Sequence, residues 1–152
     1  MRPRVRDLWN CQLLEDKMGQ EIINLKHRCA KYAYNCIDEL KDPDIKGKYF
    51  SEVKSTAAKI YGSGLMQTLT FYLSKKDEPH YRKLLLHLLN WILDGETINS
   101  CTITCDLPRG DNELITLFNE MLKTTPDKMM FYTQRALMVC EWLSRFADAK
   151  LK

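Results

Sequence analysis

The strongest hydrophobic pattern in the chain runs through residues 125–149, whose centre, residues 136–143, is apolar at every position except Glu141. Thr125 followed by Pro126 is a helix-start signal, because threonine can cap free backbone N–H groups and proline needs no amide partner in a first turn. Apolar residues then recur at spacings of three and four: Tyr132, Ala136, Val139, Leu143 and Phe146. The pattern predicts a central helix that has neighbours on several sides.

Two further amphipathic helices are predicted in the first third of the chain, behind a polar tail at residues 1–14. The apolar positions of the first are Met18, Ile22, Leu25, Cys29, Tyr32, Cys36 and Leu40. Asp42 and Pro43 repeat the signal for a helix start. The second helix then turns Ile45, Tyr49, Val53, Ala57 and Ile60 inward.

Glycine and proline divide the middle of the chain into shorter helices. Gly62 suits a left-handed C-terminal cap, and Ser63 can cap a third helix that buries Leu65 and Leu69. Pro79 opens a fourth helix that ends near residue 94, and a fifth is predicted over residues 111–123. The Gly62 break is therefore a bend between helices and not a domain boundary.

Residues 95–110 lack the helical period and alternate apolar with polar positions, as a strand does. Because the sequence offers no second strand, we expect an extended loop that lies on the helices; the alternative is a strand edge offered to another subunit. The whole pattern predicts an all-α fold, a compact single-domain bundle of about six helices over residues 1–152. Its expected core includes Leu65, Leu69, Trp142, Leu143 and Phe146.

Composition and charge limit the broad class of protein. The 152 residues are 45% apolar and 28% charged, which is typical of one soluble globular domain. The polar N-terminus lacks a secretory signal, and the longest apolar run is about half as long as a bilayer crossing requires, so we expect a cytoplasmic protein. The six cysteines are then expected to be thiols, although a disulfide stays possible in a hyperthermophile.

The sequence contains no motif for catalysis or metal binding of the types C-x-x-C, H-E-x-x-H or a phosphate-binding loop. Cys101 and Cys105 lie too far apart in an extended stretch to share a zinc ion readily. His87 stands among leucines, where a hydrogen-bonded core histidine is the more common case, and His80 is two turns away. We therefore expect no metal, no cofactor and no enzymatic activity.

The basic residues form rows on the predicted helices: Lys26, His27, Arg28 and Lys31 on the first, and Lys46, Lys48, Lys54 and Lys59 on the second. Such rows can contact the phosphates of a nucleic acid, but they are equally the solvated faces of ordinary helices. The net charge of +3 is too small to decide between these interpretations.

Two segments resemble a known family: Gly64-Leu-Met-Gln-Thr-Leu-Thr-Phe-Tyr-Leu73 and Trp142-Leu-Ser-Arg-Phe-Ala-Asp-Ala149. They look like the signature segments of the small helical subunit of type III-B CRISPR (Cmr) effector complexes, and the order and length of the predicted helices agree. Arg135 departs from the family pattern, which tends to have a glutamate there. The resemblance extends over nearly the whole chain.

The resemblance implies an all-helical, noncatalytic protein that stacks in several copies beside other Cmr subunits and the guide RNA, and that lines the channel for target RNA. Combined with the basic rows, it makes Arg28, Lys31 and Lys54 the candidate RNA contacts. The main alternative is a helical protein-protein adaptor that does not touch RNA. A third possibility is an enzyme whose helical active site carries no recognisable motif.

Overall fold

A computed structural model describes residues 5–94 and 111–151, and these residues form helices connected by short turns. The helices are α1 Val5–Glu39, α2 Pro43–Ser63, α3 Leu65–Ser74, α4 Pro79–Asp94, α5 Asp111–Leu122 and α6 Pro126–Leu151. The predicted all-α fold is confirmed. The described residues include no helix long and apolar enough to cross a membrane. The predicted extended loop at 95–110, with Cys101 and Cys105, lies outside the described residues.

The two helix starts that are marked by a capping residue before a proline are where the sequence predicts them. The Asp42 carboxylate accepts a hydrogen bond from the backbone N–H of Asp44 at 3.0 Å, and Pro43 opens α2. The Thr125 hydroxyl accepts from the backbone N–H of Lys128 at 3.4 Å, and Pro126 opens α6. In each case the cap satisfies a backbone donor that has no partner within the helix.

The predicted tail at residues 1–14 is wrong from Val5 onward, because α1 already begins there. The physical reason is that residues 5–18 contain neither glycine nor proline, so nothing interrupts a helix once it has formed. Half of residues 5–18 are apolar, so this segment is less polar than the expectation of a polar tail assumed.

The predicted break at Gly62 is displaced by two residues. Helix α2 continues through Ser63, and Gly64 alone separates it from α3. Gly64 has φ 89° and ψ 162°, and its N–H donates to the Ile60 carbonyl at 2.9 Å. This backbone conformation is almost restricted to glycine. The chain thus changes direction between α2 and α3 at a single residue.

Helix α6 occupies the centre of the fold and packs against α1, α2 and α4. Tyr34 contacts Phe146, with ring centroids 5.6 Å apart, and one turn later the Lys150 ammonium donates to Asp38 at 2.9 Å. Because these contacts advance in the same direction along both helices, α1 and α6 run side by side and parallel. The core residues of α6 are Tyr132, Ala136, Val139, Cys140, Leu143 and Ala147.

The five expected core residues differ in their burial. Leu65, Leu69 and Leu143 are buried. Trp142 and Phe146 are partly buried and pack against the core. Both lie on the side of α6 that meets α1, where their rings stack 5.7 Å apart and close the edge of the core.

His87 lies in the core as a hydrogen-bonded residue. The Tyr49 hydroxyl lies 2.8 Å from Nδ1 of His87, and Glu39 Oε2 lies 3.4 Å from Nε2. The two ring nitrogens thus face a hydroxyl of α2 on one side and a carboxylate of α1 on the other. The His87 carbonyl also accepts from the Tyr32 hydroxyl at 2.7 Å. One histidine thus ties α4 to α1 and α2.

Arg135 is a buried cation that the apolar pattern of α6 does not predict. Its Nη2 donates to the Trp91 carbonyl at 3.2 Å, and the Trp91 indole N–H donates back to the Arg135 carbonyl at 3.2 Å. The guanidinium also lies 4.7 Å from the centroid of the Trp91 ring. These reciprocal contacts join α4 to α6 and offset part of the cost of burying the charge.

A matched pair of substitutions tests the position of the break. Gly64→Ala should lower the free energy of unfolding by about 1–3 kcal/mol, because the side chain meets no atom within 4 Å and the cost comes from the backbone conformation. Gly62→Ala should raise it by about 0.5–1 kcal/mol, because Gly62 is helical and equally open. Urea denaturation measures both free energies. If Gly62→Ala destabilises the protein and Gly64→Ala stabilises it, the break between the helices lies at Gly62.

The His87 contacts can be tested with two tyrosines. Tyr49→Phe should cost about 1–3 kcal/mol, because it removes the hydroxyl that lies 2.8 Å from the buried Nδ1 of His87 and leaves that nitrogen without this partner. Tyr61→Phe is the control, since Tyr61 is largely exposed and its change should stay within about 0.5 kcal/mol. Equal effects of the two substitutions in urea denaturation would show that the buried hydrogen bond contributes nothing net.

Candidate functional site

The first candidate surface is the outer α1 face, which we define as Lys17, Asn24, Arg28, Lys31 and Asn35. These positions are seven, four, three and four residues apart, so they lie on one side of the helix. Four of them are exposed and Arg28 is half-buried. The face is about 27 Å long at 1.5 Å per residue. Its side chains offer cations and amides, which are groups that bind phosphate oxygens.

Asp38 continues this side of α1 one turn further on. Its carboxylate accepts a hydrogen bond from Lys150, and this bond, together with the Lys150 charge, lowers the pKa of Asp38. The aspartate is therefore ionised and engaged with α6. Lys150 thus compensates the charge of Asp38 at this end of α1.

The second candidate surface is a groove of about 510 Å³, which we call the α2–α6 groove. Helix α1 contributes one side chain to it, α2 contributes four, and the outer side of α6 contributes the rest. The lining residues are Lys26, Val53, Lys54, Ala57, Tyr61, Gln134, Leu137, Met138, Cys140, Glu141, Ser144 and Arg145. Residues more than a hundred positions apart thus meet around one opening.

Two of the three cations that line this groove have an acidic partner on α6. Lys54 Nζ lies 2.6 Å from Asp148 Oδ1, and the Arg145 guanidinium lies 2.7 Å from Glu141 Oε1. Glu141 and Arg145 are one turn apart on α6, a spacing that brings their side chains together. Both pairs are largely exposed, and exposed pairs contribute at most about 1 kcal/mol each. Their charges thus stay available to another partner.

The floor of the groove is apolar, and its thiol has low reactivity. Val53 and Cys140 are buried there, with Leu137 and Met138 partly buried beside them. Burial raises the pKa of the Cys140 thiol to about 12, so the thiolate, the reactive form, is scarce at neutral pH. At the opening the ring of Tyr61 is 78% exposed. The arrangement favours the binding of a ligand over catalysis of a reaction.

A row of aromatic and cationic side chains runs from Arg145, which lines the groove, to Lys150 at the contact between α1 and α6. Arg145 lies 5.8 Å from the centroid of the Trp142 ring, Trp142 stacks on Phe146, and Phe146 meets the edge of Tyr34. Lys150 lies 4.7 Å above Tyr34. This row holds α1 against α6. It also fixes Arg145 at the edge of the groove through its contact with Trp142.

The structure separates the three predicted RNA contacts. Arg28 and Lys31 belong to the outer α1 face, whereas Lys54 lines the α2–α6 groove. Lys26, which also lines the groove, precedes Arg28 by two residues and therefore points about 200° away from it around the helix. The sequence marks Lys26 only as a member of the basic row on the first helix, and Arg145 only as part of the second segment that resembles the family. Nothing in the sequence marks Tyr61, because its role depends on how three helices meet.

The described residues offer no converging set of metal ligands. In that part of the chain no group of three or more His, Cys, Asp or Glu side chains comes together as a metal site. His80 is buried beside Tyr81, with its Nε2 3.7 Å from Glu78. Burial lowers the pKa of His80, which favours its neutral form. His80 and His87 thus serve packing and hydrogen bonding.

Comparison with known protein families gives a match over most of the chain. The family model described as CRISPR-associated protein (Cas_Cmr5) matches residues 25–150. The matched range begins within α1 and extends almost to the end of α6, and it contains all the residues that line the α2–α6 groove. On the outer α1 face, Arg28, Lys31 and Asn35 lie inside this range, and Lys17 and Asn24 precede it.

Proposed function

From the membership of this chain in the CRISPR-associated Cmr5 family, which makes it a subunit of a Cmr complex, we propose that it is a noncatalytic subunit that helps to hold target RNA. The proposal assigns RNA contact to the outer α1 face. The observation that carries it is the exposure of Lys17 and Lys31 on one side of a long helix, with the exposed amides of Asn24 and Asn35 between and beyond them.

The chemistry of this face suits the RNA backbone. Lysine ammonium groups bind phosphate as point charges, and asparagine side chains can donate to phosphate and sugar oxygens. Neither group forms the flat surface on which bases stack, so binding should be independent of base sequence. In this proposal the guide RNA reads the target by base pairing, and the protein contributes phosphate contacts.

A single copy with so few cations should bind RNA weakly. Several copies side by side would place successive α1 faces along one strand, and each additional contact would then form within an already assembled complex. We propose that the subunit acts in this repeated form. Its contribution is then an even, salt-sensitive attraction along the channel and not a strong site in any one copy.

The noncatalytic role is part of the same proposal. The polar groups that the fold brings together in its interior, at Tyr49 and His87, are committed to hydrogen bonds inside the core. The described thiols of Cys29 and Cys140 are buried, and burial raises the pKa of each to about 12. These groups support the fold, so cleavage of RNA is assigned to other subunits.

A second candidate function is a protein-protein adaptor that never touches RNA. The pairing of Lys54 with Asp148 and the half-burial of Arg28 favour it, because both observations show basic residues used within the subunit. The two functions differ in one measurable respect: only the first makes the outer α1 face necessary for capture of target RNA.

Reversing the charge of the outer α1 face tests the proposal. Lys17→Glu with Lys31→Glu should leave assembly of the Cmr complex intact and weaken target capture by about tenfold, because every copy then presents carboxylates to the RNA phosphates. The slope of log affinity against log salt should flatten by roughly one for each lysine–phosphate pair that the substitutions remove. Filter binding of a labelled target RNA over a salt series measures both quantities.

The matched control carries the same charge change elsewhere. Lys75→Glu with Lys123→Glu alters exposed lysines that follow α3 and α5. If both double variants weaken capture equally, the effect is one of net charge and the outer α1 face has no special part. If neither changes affinity or salt slope, the adaptor function replaces the RNA-holding one.

The noncatalytic assignment makes its own prediction. The purified chain should leave a labelled RNA intact with magnesium, with manganese and with a chelator, because His80, His87 and the described thiols are held in the core. Gel analysis of the RNA checks this. Cleavage that follows the protein through successive columns and disappears on a single substitution within this chain would contradict the assignment.

A further inference from the structure

We infer that the α2–α6 groove is a docking site for an acidic segment of a partner protein, one that carries apolar side chains between its carboxylates. The inference rests on the chain being one subunit of a multi-protein complex and does not require contact with RNA. It assigns a role to Lys54, Tyr61 and Arg145, which line the groove and do not belong to the outer α1 face.

The size and lining of the groove suit side chains of a peptide. Its volume of about 510 Å³ lies within the range of sites that bind small ligands and anchoring side chains. Val53, Ala57, Leu137 and Met138 give it an aliphatic and thioether lining. A flexible methionine adapts to differently shaped apolar partners. Filling such a space with a leucine or methionine of the partner would remove apolar surface from water on both sides.

The charges around the opening specify an acidic partner. Lys26 of α1, Lys54 of α2 and Arg145 of α6 reach the same groove, whereas among the described residues Glu141 is the one acidic side chain in its lining. Three cations from three helices around an apolar floor are complementary to a segment with carboxylates at its edges and apolar side chains at its centre. A basic segment would meet like charge at these three cations, and a neutral one would gain no electrostatic attraction from them.

Because of the existing ion pairs, a carboxylate of the partner can take the place of Asp148 or Glu141 at a small cost in free energy. Asp148 and Glu141 already hold Lys54 and Arg145 at 2.6 and 2.7 Å, so the two cations face the groove in ordered positions. Since each pair is exposed, a partner carboxylate can share or replace the internal one at little cost. Arg145 is also steadied by its contact with the Trp142 ring.

Tyr61 supplies the third element of a docking site. Its ring is 78% exposed at the opening, although tyrosines elsewhere in this chain, such as Tyr49 and Tyr72, are fully buried. Tyrosine is enriched at protein interfaces, where its ring packs on apolar side chains and its hydroxyl bonds to the partner. The position of Tyr61 beside Lys54 and the apolar floor fits that use.

RNA fits this groove less well than a peptide does. An RNA strand would satisfy the cations, but its phosphates and sugars have no apolar group that fills an aliphatic floor. Bases bind proteins chiefly by stacking on flat rings and by hydrogen bonds at their edges. In the part of the chain that the structure describes, Tyr61 is the one aromatic ring in the lining. The apolar floor therefore favours a protein segment.

Fluorescence polarisation with three labelled probes of equal negative charge tests the inference on the full chain. The probes are a peptide that alternates glutamate with leucine, a peptide that alternates glutamate with glycine, and a single-stranded RNA. The leucine peptide should bind at least about tenfold more tightly than the other two, which corresponds to about 1.4 kcal/mol. Equal binding of the two peptides would show that only charge matters and would overturn the inference.

The variant for this test is Lys26→Gln, Lys54→Gln and Tyr61→Ser combined, which changes exposed side chains only. It should reduce binding of the leucine peptide by about tenfold or more. The matched control, Lys123→Gln with Lys128→Gln and Met130→Ser, replaces exposed side chains near the α5–α6 turn and should leave binding unchanged. Equal reductions in both variants, or tighter binding of the RNA than of the leucine peptide, would overturn the inference.

Assembly of the Cmr complex separates this inference from the RNA-holding function. The groove variant should co-purify less with tagged partner subunits, whereas Lys17→Glu with Lys31→Glu should assemble normally and capture less target RNA. Normal assembly of the groove variant would overturn the docking site and leave the RNA proposal untouched. Circular dichroism and urea denaturation of the purified variants show that each one is folded.

Discussion

The packing of α6 against α1, α2 and α4 is the constraint on which the other features of the fold depend. Because α6 is enclosed on these sides, only its outer side remains for solvent, and that side forms one wall of the α2–α6 groove. The parallel alignment with α1 is fixed by Tyr34 against Phe146 and by Lys150 on Asp38. The burial of α6 thus determines which sides of α1, α2 and α4 face the core and which sides stay on the surface.

The two candidate surfaces follow from the way a single helix divides its residues. On α1, Lys26 points towards the groove, while Arg28 and Lys31 lie on the outer face, because successive residues turn about 100° around the axis. A protein bound in the groove and a nucleic acid along α1 would therefore occupy different sides of one rigid element. Under the two proposals, the partner protein and the RNA would then not compete for the same surface.

Much of this fold could be predicted from the sequence, because its signals are local. Thr125 with Pro126 and Asp42 with Pro43 mark helix starts within three residues, and the spacing of Tyr132 and Ala136 marks the inner face of α6. The sequence predicts the break at Gly62 instead of Gly64, since composition alone does not say which of two glycines has the positive φ. The groove could not be predicted, because it exists only where three distant helices meet.

Cys140 gives the groove floor a property that its shape alone does not convey. Its thiol is neutral and covered, so an alkylating reagent reacts with it only in the moments when the floor opens and solvent enters. The rate at which Cys140 itself is alkylated therefore measures local opening of the fold at the junction of α2 and α6. A natural sulfur atom thus reports how firmly this part of the subunit is closed, without any label introduced into the chain.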